Sequence, residues 1–207
     1  IEGLYGAGGQ LFDGCGCSIA CCTGRWAGSM AADYAMKNSD FAPLSREQID
    51  MEKERVYAPL KRKGGINWKD LEAGSAKVLQ DYCGDNKCES LMEIGLLAFR
   101  EIETGEASDL VARNPHELMR AVEALDIITC SQMVIHASMA RKASSFWLYF
   151  DRLDYPERDP AEWNKWITIY QKSGDVRTRE YPLDYFGSMK DNYEARAGSV
   201  IGGNKNG

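Results

Sequence analysis

Apolar residues recur at helical spacing in three successive segments, residues 67–84, 88–105 and 113–144. The positions that predict one buried face on each helix are Trp68, Leu71, Val78, Leu79 and Tyr82, then Leu91, Ile94, Leu97, Ala98 and Ile102, then Leu118, Val122, Leu125, Ile128, Gln132 and Ile135. Asn114 and Pro115 have the residue types preferred at the cap and first turn of a helix. Because short turns join the segments, the sequence predicts an antiparallel three-helix bundle, preceded by a charged helix from about Ser45 to Arg62.

The pattern changes after Ser145 into an aromatic-rich stretch punctuated by prolines, "FWLYFDRLDYPERDPAEWNKW". Within it, Asp159 and Glu162 are predicted to lie in the N-cap region of a short helix that carries a tryptophan. The following "ITIYQKSGDVRTREYPL" alternates around Ser173 and Gly174, which is typical of a β-hairpin. The final "GSVIGGNKNG" has the character of a disordered tail.

The beginning of the chain follows another pattern. "GLYGAG" predicts a short buried strand, "GRWAGSMAADYAMK" predicts a helix rich in small residues, and a glycine- and cysteine-rich loop joins them. A strand, a glycine-rich turn and a helix together form a common contact for a nucleotide phosphate or a cofactor, although glycines also serve ordinary tight turns. We therefore expect a mostly α chain in three parts, which are residues 1–40 with this strand–loop–helix unit, residues 41–145 with the bundle, and residues 146–207 with an aromatic-rich extension, hairpin and flexible tail.

Composition narrows the functional classes. The chain has 207 residues, 44% of them hydrophobic and 27% charged, which is ordinary for a globular protein. A net charge of −6 without a basic block argues against a nucleic-acid surface. No stretch approaches the roughly 20 apolar residues that a membrane span needs. Seven unevenly spaced cysteines fit a reducing cytoplasm better than a disulfide framework, and a start inside an apparent strand suggests a piece of something longer.

Few polar residues outside the glycine-rich loop suggest chemistry. Arg152 and Asp154 could form a proton relay, or an ion pair that fixes the chain after the long helix. His116 is expected at the surface, and His136 is expected to be a satisfied interior polar group. Neither histidine has a convincing catalytic partner nearby in sequence.

These motifs, in this order, resemble one family. "EGLYGAGG", "GRWAGSMAADYA", the helical bundle and "RLDYPERDPAEWNKW" are similar to the C-terminal portion of flavoprotein subunits of the fumarate reductase and succinate dehydrogenase superfamily. Within that superfamily the chain looks most like the adenylylsulfate reductase alpha subunit. The resemblance covers nearly the whole chain, and the last motif carries most of its specificity.

The resemblance implies a cofactor and partners. In this family the glycine loop wraps an FAD, and the next helix points its N-terminus at the flavin ring, where amide groups stabilise the charge of the reduced flavin. The flavin-facing positions that it implies are Gly8, Gly9, Gly14, Gly16, Ser18, Thr23 and Gly24. It also implies a missing dinucleotide-binding half, on the same or another chain, and an iron–sulfur subunit as partner.

This sequence also departs from the family pattern. Gly9 stands where the family usually has an acidic residue, and the loop contains no histidine. Arg25 is the only arginine near the loop, and Ser144 and Ser145 fall about where the family has an arginine after its long helix, with Arg141 and Lys142 shifted. Succinate or fumarate chemistry is therefore disfavoured, and the substrate stays open.

Four cysteines, Cys15, Cys17, Cys21 and Cys22, give the loop three interpretations. They could bind an iron–sulfur cluster or zinc, although the spacing matches no common pattern and adjacent cysteines would struggle to bind one ion. They could form a redox-active thiol pair beside a flavin. They could also be small apolar residues packed under a cofactor, which we favour.

Three functional hypotheses follow. The first is part of an FAD-dependent oxidoreductase that moves electrons between a flavin and a small acceptor, with an iron–sulfur partner; this fragment alone is not expected to be competent. The second is a cysteine-based electron-transfer or thiol-redox module. The third is a non-catalytic helical interaction module.

Overall fold

Helices make up most of the described chain, which comprises residues 3–11, 16–38, 43–182, 187–188 and 190–191 of a computed structural model. The chain divides into two units, Ile1–Met51 and Glu52–Gly207. The helices are α1 (Gly16–Lys37), α2 (Arg46–Lys61), α3 (Trp68–Cys83), α4 (Glu89–Thr104) and α5 (Pro115–Ala140). The strands are β1 (Asn86–Lys87), β2 (Asp151–Arg152), β3 (Lys165–Lys172) and β4 (Asp175–Pro182). The predicted mostly α fold with a C-terminal hairpin is confirmed.

The first unit differs from its prediction in two respects. Residues 4–7 pair with no described strand, and Gly8–Gln10 form one turn of 3₁₀-helix instead. A strand needs a neighbouring strand to complete its backbone hydrogen bonds, and the described residues of this unit offer none. The following helix, α1, begins at Gly16 rather than at Gly24 and buries none of its residues.

The second unit contains the bundle of α3, α4 and α5, whose three helices all contact one another. The residues buried at its centre differ in part from those that the sequence predicted. On α4 the buried residues are Met92, Gly95 and Phe99, whereas the predicted Ile94 and Leu97 are exposed. On α5 the buried face is built largely from small residues, Ala121, Ala124, Ser131 and Ser138 with Ile128 and Ile135.

Small residues allow these helices to approach closely. A Cβ added at Gly95 would lie 2.9 Å from the Cβ of Tyr82 on α3 and 3.3 Å from the Cδ1 of Ile135 on α5. Both distances are shorter than ordinary contact, so only glycine fits where the three helices meet. The large apolar residues then flank this contact instead of forming its centre.

Local signals set the helix ends. Asn67 caps α3 by accepting a hydrogen bond from the backbone N–H of Lys69 at 2.9 Å. Asn114 caps α5 in the same way, since its side-chain oxygen accepts from the backbone N–H of Glu117 at 3.0 Å. Asparagine caps satisfy N–H groups that have no partner within the helix. The predicted cap at Asn114 thus has the expected geometry.

Two small sheets complete the unit. Strands β1 and β2 pair in parallel, which brings the chain after α5 alongside the start of α4. Strands β3 and β4 form the predicted antiparallel hairpin, with Lys172 opposite Asp175. Its two-residue turn has positive φ at both Ser173 and Gly174, as hairpins of this length require. Strand β3 also contacts α5.

None of the helices in the described ranges is both long enough and apolar enough to cross a membrane. The tail "GSVIGGNKNG" lies outside the described residues.

Candidate functional site

The glycine-rich segment is held against α1 by a pair of hydrogen bonds. Gly8 is buried with φ of +64°, and its backbone N–H donates to the Oγ1 of Thr23 at 2.9 Å. The Thr23 hydroxyl donates in turn to the carbonyl of Ile19 at 2.6 Å. Two of the predicted cofactor-binding residues are therefore brought together, and their contact fixes the 3₁₀ turn beside the second turn of α1.

The other predicted flavin-facing positions are spread along this segment. Gly9 is exposed, with nothing within 4 Å of an added Cβ. Gly16 opens α1 with φ of +60°, and Ser18 lies in the first helical turn. Gly24 was predicted to start the helix, but it lies well inside α1, whose first residue is Gly16. Gly14 lies outside the described residues.

The N-terminus of α1 has the chemistry to receive an anion. The first backbone N–H groups of a helix have no partner within the helix and carry a partial positive charge. The first turn of α1 contains no acidic side chain that would occupy this position or repel an anion from it. Space is open around Gly9 and Gly16. These residues fit the edge of an anionic cofactor, and they do not by themselves identify which one.

Three of the four clustered cysteines lie on α1. Cys17, Cys21 and Cys22 are exposed free thiols. Cys17 and Cys21 are one turn apart on one face, while Cys22 is rotated by about 100° from Cys21. In the ranges that the structure describes, no three His, Cys, Asp or Glu residues are grouped to hold a metal. Cys15 lies outside those ranges, so the four-cysteine metal site stays a prediction.

The best-defined polar cluster lies in the second unit around Arg152. This arginine is 1% exposed, and its Nη1 donates to the carbonyls of Ser138 at 2.7 Å and Arg141 at 2.8 Å. Carbonyls at the end of a helix lack partners within the helix and carry a partial negative charge. The guanidinium therefore neutralises and closes the C-terminal end of α5.

The same guanidinium holds Asp154 in a two-pronged pair. Its Nε and Nη2 donate to the two carboxylate oxygens of Asp154, each at 2.7 Å. One of those oxygens also accepts from the backbone N–H of Glu89 at 2.9 Å, so Asp154 caps the start of α4. The arginine and these backbone hydrogen bonds lower the pKa of Asp154 to about 2. A carboxylate that stays ionised in this way serves as an ion-pair anchor and is a poor proton relay.

We expect acid to weaken this anchor over a defined range. The pKa of Asp154 in the folded chain, about 2, lies below its ordinary value of 3.8, so its stabilisation is present above pH 4 and fades as pH falls toward 2. Allowing for partial solvent access, Asp154→Asn should lower the free energy of unfolding by about 1–2 kcal/mol at pH 7. Urea unfolding at pH 7 and pH 2 measures this, and the gap to wild type should shrink at pH 2.

Asp151→Asn is the matched control for that experiment, because among the described residues its carboxylate pairs only with exposed Arg158, at 2.7 Å. Its effect should stay below about 1 kcal/mol. If Asp154→Asn lowered the free energy of unfolding by the same amount at pH 7 and at pH 2, the negative charge of Asp154 would not be the source of the stabilisation.

Within the described ranges, the two histidines are not assembled into a catalytic group. His116 is exposed, and His136 is half-buried with its pKa lowered by burial. The predicted short helix that carries a tryptophan is the 3₁₀ helix Ala161–Trp163, and Asp159 and Glu162 lie at its start as expected, although no side chain caps it.

Asp159 also closes the turn after α5. Its carboxylate accepts from the Ser145 hydroxyl at 2.5 Å and from the Phe146 N–H at 2.9 Å. Sequence reasoning missed the role of Ser144 and Ser145, which are buried and tie this turn together. The paired serines before an aromatic run were the available signal, since buried hydroxyls require partners.

A family model described as "Fumarate reductase flavoprotein C-term" matches residues 76–192, which is more than half of the chain. Among solved structures, an adenosine-5-phosphosulfate reductase in complex with sulfite as a covalent adduct is similar with a TM-score of 0.74 and 19% identity, over 80% of this chain and 29% of that chain. Mycobacterium smegmatis Sdh1 in complex with UQ1 is similar with a TM-score of 0.68 and 23% identity, over 80% of this chain and 28% of that chain. E. coli quinol fumarate reductase is similar with a TM-score of 0.66 and 19% identity, over 80% of this chain and 29% of that chain.

Because these identities are low, the similarity between this chain and the solved structures shows a shared fold and nothing more. The chain spans less than a third of the length of each of them.

Proposed function

Because the chain belongs to the fumarate reductase flavoprotein C-terminal family, we propose that it is the flavin-covering and helical part of an FAD-dependent oxidoreductase subunit. The single observation that carries this proposal is the family match over residues 76–192. The similarity in fold to an adenosine-5-phosphosulfate reductase and to a quinol fumarate reductase supports the same class of chemistry.

In this proposal each part of the first unit has a role at the cofactor. FAD supplies two-electron transfer when it is bound. Gly9 and Gly16 let backbone approach the ring, because neither carries a side chain and the space beside each is open. The N–H groups at the start of α1 face the negative edge of the ring. Gly8 and Thr23 hold that geometry through the hydrogen bond between them.

The wider assignment rests on the resemblance of the motifs. A dinucleotide-binding half, on the same or a neighbouring chain, supplies the remaining FAD contacts, and an iron–sulfur subunit exchanges electrons with the flavin. The substrate is adenylylsulfate or a related small acceptor. Dicarboxylates are disfavoured because residues 3–38 contain no histidine and Arg25 lies on α1, away from its N-terminus. The complex is assigned to the cytoplasm.

The decisive experiment is an anaerobic visible spectrum of the natively purified protein with every chain that co-purifies. We expect flavin absorption bands that bleach on reduction with dithionite. An additional broad iron–sulfur envelope would support the proposed partner. A featureless spectrum would contradict the flavoprotein proposal and favour the helical interaction module.

A pair of glycine variants tests the assigned contact within that complex. Gly9→Val places a side chain in the open space proposed for the flavin and should lower flavin occupancy by about tenfold or more, since a ring and a side chain cannot share it. Gly28→Val is the control, because Gly28 is on α1, is equally open, and is not assigned to the cofactor. Equal occupancy in both variants would overturn the assignment of Gly9.

A further inference from the structure

A cleft of about 530 Å³ opens in the second unit beside the C-terminal end of α5. The turn after α5 forms one wall, and the segment that leads into β3 forms the other. Its lining includes Arg141, Asp159 and three indole rings, Trp147, Trp163 and Trp166. Trp147 and Trp166 are 79% and 61% exposed, so much of each ring is left uncovered at the mouth.

The base of this cleft contains a buried charge without an ionic partner. Arg141 is only 9% exposed, yet its guanidinium forms no ion pair with any described residue. Its Nη1 donates to the carbonyl of Trp163 at 3.2 Å, and its Nε has no hydrogen-bond partner in the part of the chain that the structure describes. Burial lowers the pKa of Arg141, which expresses the cost of holding this charge away from water.

The neighbouring charges relieve only part of that cost. The carboxylate of Asp159 is near enough to favour the charged form of Arg141, but it forms no ion pair with that guanidinium, and its oxygens accept hydrogen bonds from Ser145 and Phe146 instead. Lys165, whose Nζ lies 4.1 Å from the centre of the Trp163 ring, is paired with Glu180 at 2.7 Å. A buried cation of this kind is stabilised when a counter-ion reaches it.

The charges and rings together define a ligand class. Asp159 at the cleft wall opposes a ligand with more than one negative charge, so the fit is to a monoanion. Indole faces favour flat aromatic bodies, with ring pairs worth about 0.5–1.5 kcal/mol beyond simple burial. We propose that this cleft binds a small monoanion carried on a flat aromatic ring, with the anionic group directed toward Arg141 and the ring against the tryptophans.

This proposal concerns only the second unit and does not depend on flavin binding. The test uses the 207-residue chain and three probes, 2-naphthoate, 2-naphthamide and acetate, followed by NMR of the tryptophan indole N–H signals. Naphthoate should shift the signals of Trp147, Trp163 and Trp166 and leave those of Trp26 and Trp68 in place. Naphthamide, which lacks the charge, and acetate, which lacks the ring, should each bind about tenfold more weakly or worse.

Variants assign the binding to the named residues. Arg141→Gln should weaken naphthoate binding about tenfold, and Trp147→Ala should weaken it severalfold without risk to the core, because Trp147 is exposed. Lys142→Gln, a change of the exposed neighbouring cation, should leave binding unchanged. If Arg141→Gln fails to fold, the comparison of naphthoate with naphthamide on the wild-type chain decides the charge requirement.

Three outcomes overturn the proposal. One is the absence of indole shifts at millimolar naphthoate, and another is equal binding of naphthoate and naphthamide. The third is a uniform shift of all five tryptophans, which would indicate non-specific adsorption. None of these results bears on the flavin spectrum, so the two proposals fail separately.

Discussion

Replacing Arg152 with methionine should lower the free energy of unfolding by about 3–5 kcal/mol, the cost typical of removing one partner from a buried ion pair. Methionine replaces the unbranched stem of arginine with an apolar chain of similar shape, so the loss comes mainly from the guanidinium. Carbonyls at the end of α5 lose their donor, and the carboxylate of Asp154 loses its two-pronged partner. Urea unfolding followed by far-ultraviolet circular dichroism measures the change.

Arg158→Met is the matched control for that substitution. Arg158 lies six residues further along, is about half exposed, and pairs only with Asp151 among the described residues. Exposed pairs contribute little, so its loss should stay below about 1 kcal/mol. Equal losses in the two variants would show that Arg152 does not connect the helix ends as its contacts indicate.

The second large effect is expected at Gly65, between α2 and α3. An added Cβ would lie 1.9 Å from the carbonyl oxygen of Asp109, and the φ of +155° is one that other residues rarely adopt. That oxygen accepts a hydrogen bond from the N–H of Ile66 at 3.0 Å, and Ile66 in turn accepts one from Val111 at 3.0 Å. Gly65→Ala must push the two connections apart and should cost about 2–4 kcal/mol in unfolding free energy.

The adjacent Gly64 provides the control, because nothing lies within 4 Å of a Cβ added there and its φ is not positive in the restricted range. Gly64→Ala should change the free energy of unfolding by no more than about 0.5 kcal/mol. A small effect of Gly65→Ala would mean that the contact between the two loops is loose in solution.

Sequence patterning predicted the helices of the second unit because their caps and periodicity are local. Asn114, Pro115 and the hairpin turn at Ser173 and Gly174 each express a preference that depends on a few neighbouring residues. The sequence also placed Arg152 and Asp154 correctly as a structural pair, one of the two alternatives that it allowed. What it could not show is that Arg152 reaches the end of α5.

The predictions that failed depend on tertiary contact or on a balance of weak preferences. The buried face of α4 is centred on Gly95, whose burial follows from Tyr82 and Ile135 on other helices and not from hydrophobicity. The start of α1 was placed too late because the cysteines and glycines around Cys17 resemble a loop, whereas Gly16 opens a helix there. The hydrogen bonds of Asp159 to the turn after α5 were not predicted, because its partners lie fourteen and thirteen residues earlier.

The link from Asp154 to Glu89 also has a consequence for the order of synthesis. The carboxylate that caps α4 is encoded 65 residues after the backbone N–H that it receives. At about 5–20 residues per second, Glu89 is added to the chain roughly 3–13 s before Asp154. During that interval the start of α4 lacks this capping carboxylate, so a residue translated after α5 completes the end of an earlier helix.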